Sequence, residues 1–207
     1  MTVCRTVGRA TGIVVGQAMF LGLLATLGGC ALTPQEVKFA PTVAPASRTG
    51  PVQASQKQIV LVSADERTST SIGNRGVGVG MSAEITTNDD LASLIESQLK
   101  AAFSARGFDV VAGPNREIHE LRVELRNVQY QVTPGIVTGH LRAEAALKGI
   151  CSLGGERKYE HLYRGESTEE VFVVQFAESN TKHLNTALSA AMSNIMADNA
   201  LMSCLAE

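Results

Sequence analysis

The four cysteines are the side chains of this sequence best suited to covalent chemistry, because a thiolate is a strong nucleophile and two thiols can pair in an oxidising compartment. They are Cys4, Cys30, Cys151 and Cys204. Cys30 has the most informative neighbours, since it directly follows an apolar run and the small residues Gly28 and Gly29. A thiol in that position is expected to be modified during export.

Residues 1–29 have the layout of a secretory signal peptide. Arg5 and Arg9 form a basic start, and the apolar core is densest from Ala18 to Leu27. A transmembrane helix is the alternative. The apolar stretch is interrupted by glycine and glutamine, however, and is shorter than the roughly 20 residues that a span needs. We therefore expect the leader to be cleaved.

The tetrapeptide Leu27-Gly28-Gly29-Cys30 resembles the lipobox of bacterial lipoproteins. The resemblance implies that a diacylglycerol is attached to the Cys30 thiol and that cleavage makes Cys30 the first residue. Each buried methylene contributes about 0.8 kcal/mol, so two or more acyl chains give a stable anchor. Residue 31 is Ala rather than the Asp that marks inner-membrane retention in many such lipoproteins, which favours the outer membrane. A chance cysteine at the end of a signal peptide is the alternative.

Composition limits the function of the remaining chain. The 207 residues carry a formal net charge of -2 and are 44% hydrophobic, which fits one modest domain. This charge balance is too neutral for a nucleic-acid-binding protein, which normally has a strongly basic face.

Several short patterns resemble catalytic motifs without their context. The glycines of residues 76–80 do not lead directly into a helix, as a phosphate-binding loop would. Ser179-Asn180-Thr181-Lys182 matches S-x-x-K, but its companion motifs are absent. The four histidines are scattered singly, and adjacent acids do not face each other across a substrate. We expect no catalytic residue, metal site or cofactor.

Asp65 and Arg67 are the candidate partner-binding residues. They end a buried strand and open a long glycine-containing loop, where binding residues often occur. One hypothesis is that this loop contacts an envelope partner. The alternative is that Arg67 pairs with a neighbouring acid and holds the loop in place.

The mature chain divides into a tether and a domain. Residues 30–56 hold the lipidated cysteine and four of the six prolines, and an extended chain of that length reaches roughly 80 Å. A short edge strand around Val37 and Phe39 is left open. Residues 57–207 form the predicted domain.

The hydrophobic pattern of that domain predicts the order β-α-β-β-β-β-α. A buried strand at 59–62, a helix from Asp89 to Gly107 and a strand at 108–111 suggest a crossover between parallel strands. Alternation then continues through three antiparallel strands, with a parity slip near Arg126 and Asn127 that predicts a β-bulge. We expect an α+β fold in two layers, with a mixed, mostly antiparallel sheet and two helices on one face.

These features together resemble the YajG-type lipoproteins. The resemblance rests on the lipobox, the segment Phe39-Ala40-Pro41, the strand ending in Asp65-Glu66-Arg67-Thr68, the segment Ala105-Arg106-Gly107-Phe108, the long hairpin and the terminal helix. It implies a small periplasmic domain held at the outer membrane, and it supplies no catalytic residues.

The C-terminal helix, predicted from about Thr181 to Cys204, leaves two questions open. Cys151 and Cys204 could form a disulfide in the periplasm, but on an ideal helix Cys204 points away from the core. Ala190, Ala197, Ala200 and Leu201 make the helix apolar nearly all round, so self-association through it is a hypothesis.

The sequence therefore predicts a lipid-anchored lipoprotein of the cell envelope that is not an enzyme. It would bind or scaffold an envelope protein or a peptidoglycan-associated partner. The first alternative is a regulator of peptidoglycan or envelope assembly. A periplasmic hydrolase with a non-local site is the alternative of another class.

Overall fold

The computed structural model describes residues 34–43, 57–76, 82–113, 115–133, 135, 138–171 and 177–207. Residues 1–33, which include the predicted signal peptide and Cys30, and residues 44–56 lie outside them. The described residues form eight strands and three helices: β1 (Gln35–Glu36), β2 (Gln58–Asp65), β3 (Gly73–Gly76), β4 (Ser82–Thr86), α1 (Leu91–Arg106), β5 (Asp109–Val111), β6 (His119–Thr133), β7 (Gly139–Leu153), β8 (Glu156–Val171), α2 (Ala177–Ala197) and α3 (Asn199–Ala206).

The predicted crossover is confirmed, since β2 and β5 are parallel neighbours joined through α1. Asp90 is the N-cap of α1 and accepts from the Ser93 amide at 3.1 Å, so the helix begins at Leu91, two residues after the predicted start at Asp89. The helix ends at Gly107 in the left-handed conformation, with φ at 106°. Its buried stripe packs on β2 and β5.

The antiparallel part of the sheet is also confirmed. β6 pairs with β7 and β7 with β8, and the register between β6 and β7 shifts between Leu125 and Asn127, where the parity slip predicts the bulge. Before the bulge, odd-numbered β6 residues such as Leu121 face the core, and after it Val128 and Tyr130 do so. The bulge keeps the apolar side chains on one face although the alternation changes.

A strand pair replaces part of the predicted glycine-containing loop, of which residues 77–81 lie outside the described residues. β3 runs antiparallel to β4 and joins β6 in parallel at Gly73 and Tyr130, while β1 adds to the far side of β4. One edge of β6 lies along β7, and the other is shared, first by β2 up to Leu125 and then by β3 at Tyr130. We call the point where β2 leaves β6 and β3 joins it the fork.

Part of the predicted tether packs on the domain. The side chain of Val37 is fully buried, and the Phe39 amide donates to Asp89 Oδ2 at 2.6 Å. Farther along, the Ala40 amide donates to Asn185 Oδ1 at 2.7 Å. Residues 34–43 therefore differ from a free tether, and they include a short edge strand, at Gln35–Glu36 rather than around Val37 and Phe39.

The C-terminal helix is two helices rather than one. Asp198 interrupts the chain with an extended backbone and caps α3 through the amides of Ala200 and Leu201. The interruption changes the helical phase, so Leu201 is fully buried instead of facing outward. With Leu201 buried, the apolar residues that remain on the expected outer face are alanines. Self-association through this helix stays a prediction.

The layers match the predicted α+β class. α1 and α2 contact each other and pack on the same face of the sheet, α1 on β2 and β5, and α2 on β7 and β8. The opposite face carries cross-strand ion pairs such as Arg142 with Glu166 and Lys148 with Glu160. Among the described residues, no helix is long and apolar enough to cross a membrane.

Candidate functional site

Asp65 and Arg67 form a tight ion pair at the end of β2. Arg67 donates through Nε at 2.9 Å and Nη2 at 2.7 Å to the Asp65 carboxylate, and its amide donates to Oδ1 at 3.2 Å. The Arg67 side chain is only 7% exposed. The hydrogen bonds from Arg67 outweigh partial burial and hold the pKa of the Asp65 carboxyl below its ordinary value. This geometry matches the alternative in which Arg67 pairs with a neighbouring acid and holds the loop in place.

A pocket of about 300 Å³ lies beside this pair at the fork. We call it the fork pocket. Its polar lining consists of two guanidinium groups, three hydroxyls and two amides, from Arg67, Arg126, Thr68, Ser69, Ser71, Asn127 and Gln129. The described lining contains no carboxylate.

The pocket exists because the sheet changes strands there. The Glu66 amide makes the last contact of β2 with β6, to the Leu125 carbonyl at 3.0 Å, and the Tyr130 amide donates to the Ile72 carbonyl at 2.7 Å. Between these bonds the edge of β6 carries the bulge. A bulge re-aims side chains and often lies next to binding sites. Here it places Arg126 and Asn127 in the pocket lining.

The acids around the fork are engaged by arginines. Arg122 pairs with Glu66 at 3.1 Å and with Glu124 at 3.1 Å, and Arg126 shares Glu124 at 3.3 Å. One guanidinium nitrogen at the fork is unpaired. It is Arg67 Nη1, which is buried and has no hydrogen-bond partner in the described part of the chain.

A second polar cluster joins β8 to α2. His183 Nε2 lies 2.7 Å from Glu169 Oε2, and its Nδ1 lies 2.8 Å from Ser167 Oγ. A carboxylate only accepts hydrogen bonds, so Nε2 donates to Glu169. These residue types in this order resemble a serine hydrolase triad.

The exposure of the Ser-His-Glu cluster does not suit a catalytic serine, which must be accessible to its substrate. The acid is the most accessible member, with the Glu169 side chain 51% exposed and that of His183 only 10% exposed. Ser167 lies on the face of β8 that α2 covers, two residues after Gly165, whose added Cβ would be 1.9 Å from the Ala187 carbonyl oxygen. The arrangement fits a polar clamp between strand and helix better than an open catalytic site.

Cys151 of β7 and Cys204 of α3 are joined by a disulfide. The phase change at Asp198 turns Cys204 toward the sheet, which the single ideal helix did not allow. Asp198 is itself held by the hydroxyls of Tyr159 and Tyr163, which donate to Oδ2 at 2.7 and 2.6 Å. The bond and the cap together fix the last helix to the sheet.

Comparison with protein families decides the class. The model of a family described as uncharacterized lipoprotein, Lipoprotein_16, matches residues 41–206. The chain belongs to this lipoprotein family. The match covers the described domain almost completely.

Several solved structures are similar to this lipoprotein at low sequence identity. A minor lipoprotein of Acinetobacter baumannii is 12% identical over 71% of this chain and 91% of its own, with a TM-score of 0.48. A Xanthomonas campestris protein of the family model DUF330 is 15% identical over 78% and 90%, with a TM-score of 0.46. Rare lipoprotein B of Shewanella oneidensis is 12% identical over 71% and 96%, with a TM-score of 0.39. No curated protein matches the lipoprotein.

The predicted site residues of the lipoprotein fall into three groups. Leu27, Gly28, Gly29 and Cys30 lie outside the described residues. The structure brings Asp65 and Arg67 together, and likewise Cys151 and Cys204. Most of the fork pocket and the whole Ser-His-Glu cluster escaped sequence reasoning. The parity slip was a usable signal for Arg126 and Asn127, whereas nothing local links Ser167 to His183.

Proposed function

We propose that this lipoprotein is anchored in the outer membrane through a lipid on Cys30 and holds its domain in the periplasm. The family and the lipobox support the anchor, and Ala31 favours the outer membrane. The YajG-type resemblance is part of the same proposal. Cys30→Ser should abolish labelling with a radioactive fatty acid and release the chain from membranes, whereas Cys4→Ser, which changes the leader only, should leave both intact.

The domain is a non-enzymatic binding or scaffolding module whose contact site is the fork pocket. One observation carries this proposal: a bulge and a strand exchange build an open, donor-rich pocket beside the loop of Asp65 and Arg67. Its partner is an envelope component, either a protein or a peptidoglycan-associated molecule. A regulatory role in peptidoglycan or envelope assembly is less supported, because it depended on a long tether and residues 34–43 pack on the domain.

Site-specific photocrosslinking in living cells tests the binding site. A photoreactive amino acid at Ser69 should capture a discrete envelope partner, and the same probe at Arg157, an exposed ion-paired position on the β7–β8 hairpin, should not. Arg126→Ala should weaken capture from Ser69 without lowering the unfolding midpoint. Equal capture from both positions would show that the fork pocket is not the contact site.

A hydrolase is the second candidate, because the Ser-His-Glu cluster has the residue types of a catalytic triad, although here Nδ1 faces the serine and Nε2 faces the acid, the reverse of the serine hydrolase arrangement. If it were active, a fluorophosphonate would label Ser167, and Ser167→Ala or His183→Gln would abolish labelling and ester hydrolysis. Ser203→Ala, an exposed serine of α3, is the matched control. We expect no labelling of Ser167, since α2 covers its face of β8.

A further inference from the structure

Hydrogen-bond donors line the fork pocket from two segments of the chain. Arg67 and the hydroxyls of Ser69 and Ser71 come from the segment after β2, and Arg126 and Asn127 come from the bulged part of β6. Arg67 Nη1 is buried without a partner among the described residues. An unpaired N–H group of a charged side chain is costly to bury, so Arg67 Nη1 favours an acceptor brought by a ligand, with the lining shifting to admit it.

The carboxylates near the fork do not supply that acceptor. Asp65 takes Nε and Nη2 of Arg67, and Glu124 is shared by Arg122 and Arg126. These acids offset much of the positive charge of the arginines. A ligand would therefore be held by directed hydrogen bonds to guanidinium and hydroxyl groups rather than by a large net charge.

We propose that the fork pocket binds a phosphate group carried by a small polar molecule or a lipid headgroup. This inference rests on the proposed binding function and specifies its chemistry. Donors that approach from two sides fit the tetrahedral oxygens of a phosphate better than the planar oxygens of a carboxylate. A volume of about 300 Å³ is at the lower end of small-molecule sites, which leaves room for a glycerol or sugar unit attached to the phosphate.

The test uses the full-length chain in a phosphate-free maltoside detergent. Inorganic phosphate, glycerol phosphate, acetate and short-chain phosphatidate are each titrated at constant ionic strength, and the amide NMR signals of residues 67–73 and 126–129 are followed. Phosphate compounds should shift these signals in a saturable manner. Arg126→Gln should weaken the apparent affinity about tenfold, the typical loss for one charge-assisted hydrogen bond. Arg142→Gln, an exposed ion-paired arginine on the same sheet outside the pocket, should not change it.

Arg67→Lys provides a second variant, since it keeps the charge next to Asp65 but removes the Nη1 donor, and it should also weaken binding. Saturation by the soluble phosphates identifies a small-molecule ligand, and saturation by phosphatidate alone identifies a lipid headgroup; both support the inference. Stronger binding of acetate, no saturable shift, or equal losses in Arg126→Gln and Arg142→Gln would overturn it. If phosphate fails while crosslinking from Ser69 persists, the binding module stands and only the phosphate chemistry is wrong.

Discussion

Individual residues determine where the sheet of this lipoprotein changes strands and where its last helix begins. At the fork, Gly73 has a φ of 140° and sits against the backbone of Tyr130. At the other end of the domain, Asp198 ends α2 and caps α3 with one carboxylate. Neither role depends on hydrophobicity, so the pattern of apolar residues predicts neither of them.

Gly73→Ala should destabilise the domain by more than about 2 kcal/mol, because the new Cβ would lie 2.0 Å from the Tyr130 carbonyl oxygen. Gly113→Ala is the control, since Gly113 also has a positive φ, 85°, but its Cβ would meet nothing within 4 Å. That control should cost about 1 kcal/mol from backbone strain alone. Urea unfolding of both variants measures the difference, and equal losses would contradict the steric role of Gly73.

Asp198→Asn should make the domain less acid-sensitive. Burial raises the pKa of the Asp198 carboxyl, but hydrogen bonds from Tyr163, Tyr159 and two amides outweigh it, so the folded pKa lies below the ordinary value. The carboxylate therefore stabilises the fold above its unfolded pKa of about 3.9, and this contribution disappears as the pH falls through the folded pKa.

We expect the Asn variant to be about 1 kcal/mol less stable at pH 7, because asparagine still caps the helix but gives up charge-assisted hydrogen bonds. Urea midpoints at pH 7 and pH 3 measure this, and the gap between wild type and variant should narrow at the lower pH. Adding Tyr159→Phe and Tyr163→Phe should shrink the gap at pH 7. A gap that is the same at both pH values would rule out this role of the charge.

Among the helices and strands, the sequence patterns predicted those whose apolar side chains form the core. The crossover through α1 and the three-strand meander follow from strong periodicity, and the bulge follows from a parity slip that the buried face of β6 requires. β3 and β4 escaped prediction because they are short, and β3 contains glycines at 73 and 76 in place of alternating apolar residues. The fork pocket escaped for the same reason, since it requires the pairing of β3 with β6.

The break between α2 and α3 escaped prediction because alanine-rich sequence continues through Asp198, and helix propensity alone favours one helix. A side chain that accepts from two tyrosines 35 and 39 residues away outweighs that preference. Long-range polar contacts of this kind have no periodic signature. The same is true of the contact between Ser167 and His183.

The disulfide should be the main covalent stabiliser of the terminal helix. It closes a loop with a sequence separation of 53, for which chain entropy gives about 4 kcal/mol. Reduction of the mature protein should release two thiols and lower the urea midpoint. The double variant Cys151→Ala/Cys204→Ala should be insensitive to reductant. Two free thiols before reduction would show that the bond does not form in the cell.

For the whole molecule, the packing of residues 34–43 changes the expected reach of the anchored domain. Sequence composition suggested a tether of roughly 80 Å from Cys30 to residue 56. Because Val37 and Phe39 are buried in the domain, the covalent path from a lipidated Cys30 to the folded domain ends near Pro34. If Cys30 carries the proposed lipid, the four residues up to Pro34 span at most about 14 Å, and we expect the domain to stay close to the bilayer.

A fluorophore on Lys38→Cys, whose position is exposed, should therefore transfer energy efficiently to an acceptor in the lipid headgroups of a reconstituted membrane. Insertion of ten glycine and serine residues after Thr33 should lower the transfer, because a flexible segment of that length adds a mean distance of about 15 to 20 Å. The unmodified junction with the same label is the reference. If transfer is low without the insertion, or if the insertion changes nothing, the short reach is wrong and residues 34–43 leave the domain when the lipoprotein is membrane-bound. If the short reach holds, partners of the fork pocket must come within one domain's width of the membrane, which favours ligands in that zone over ones held deep in the periplasm.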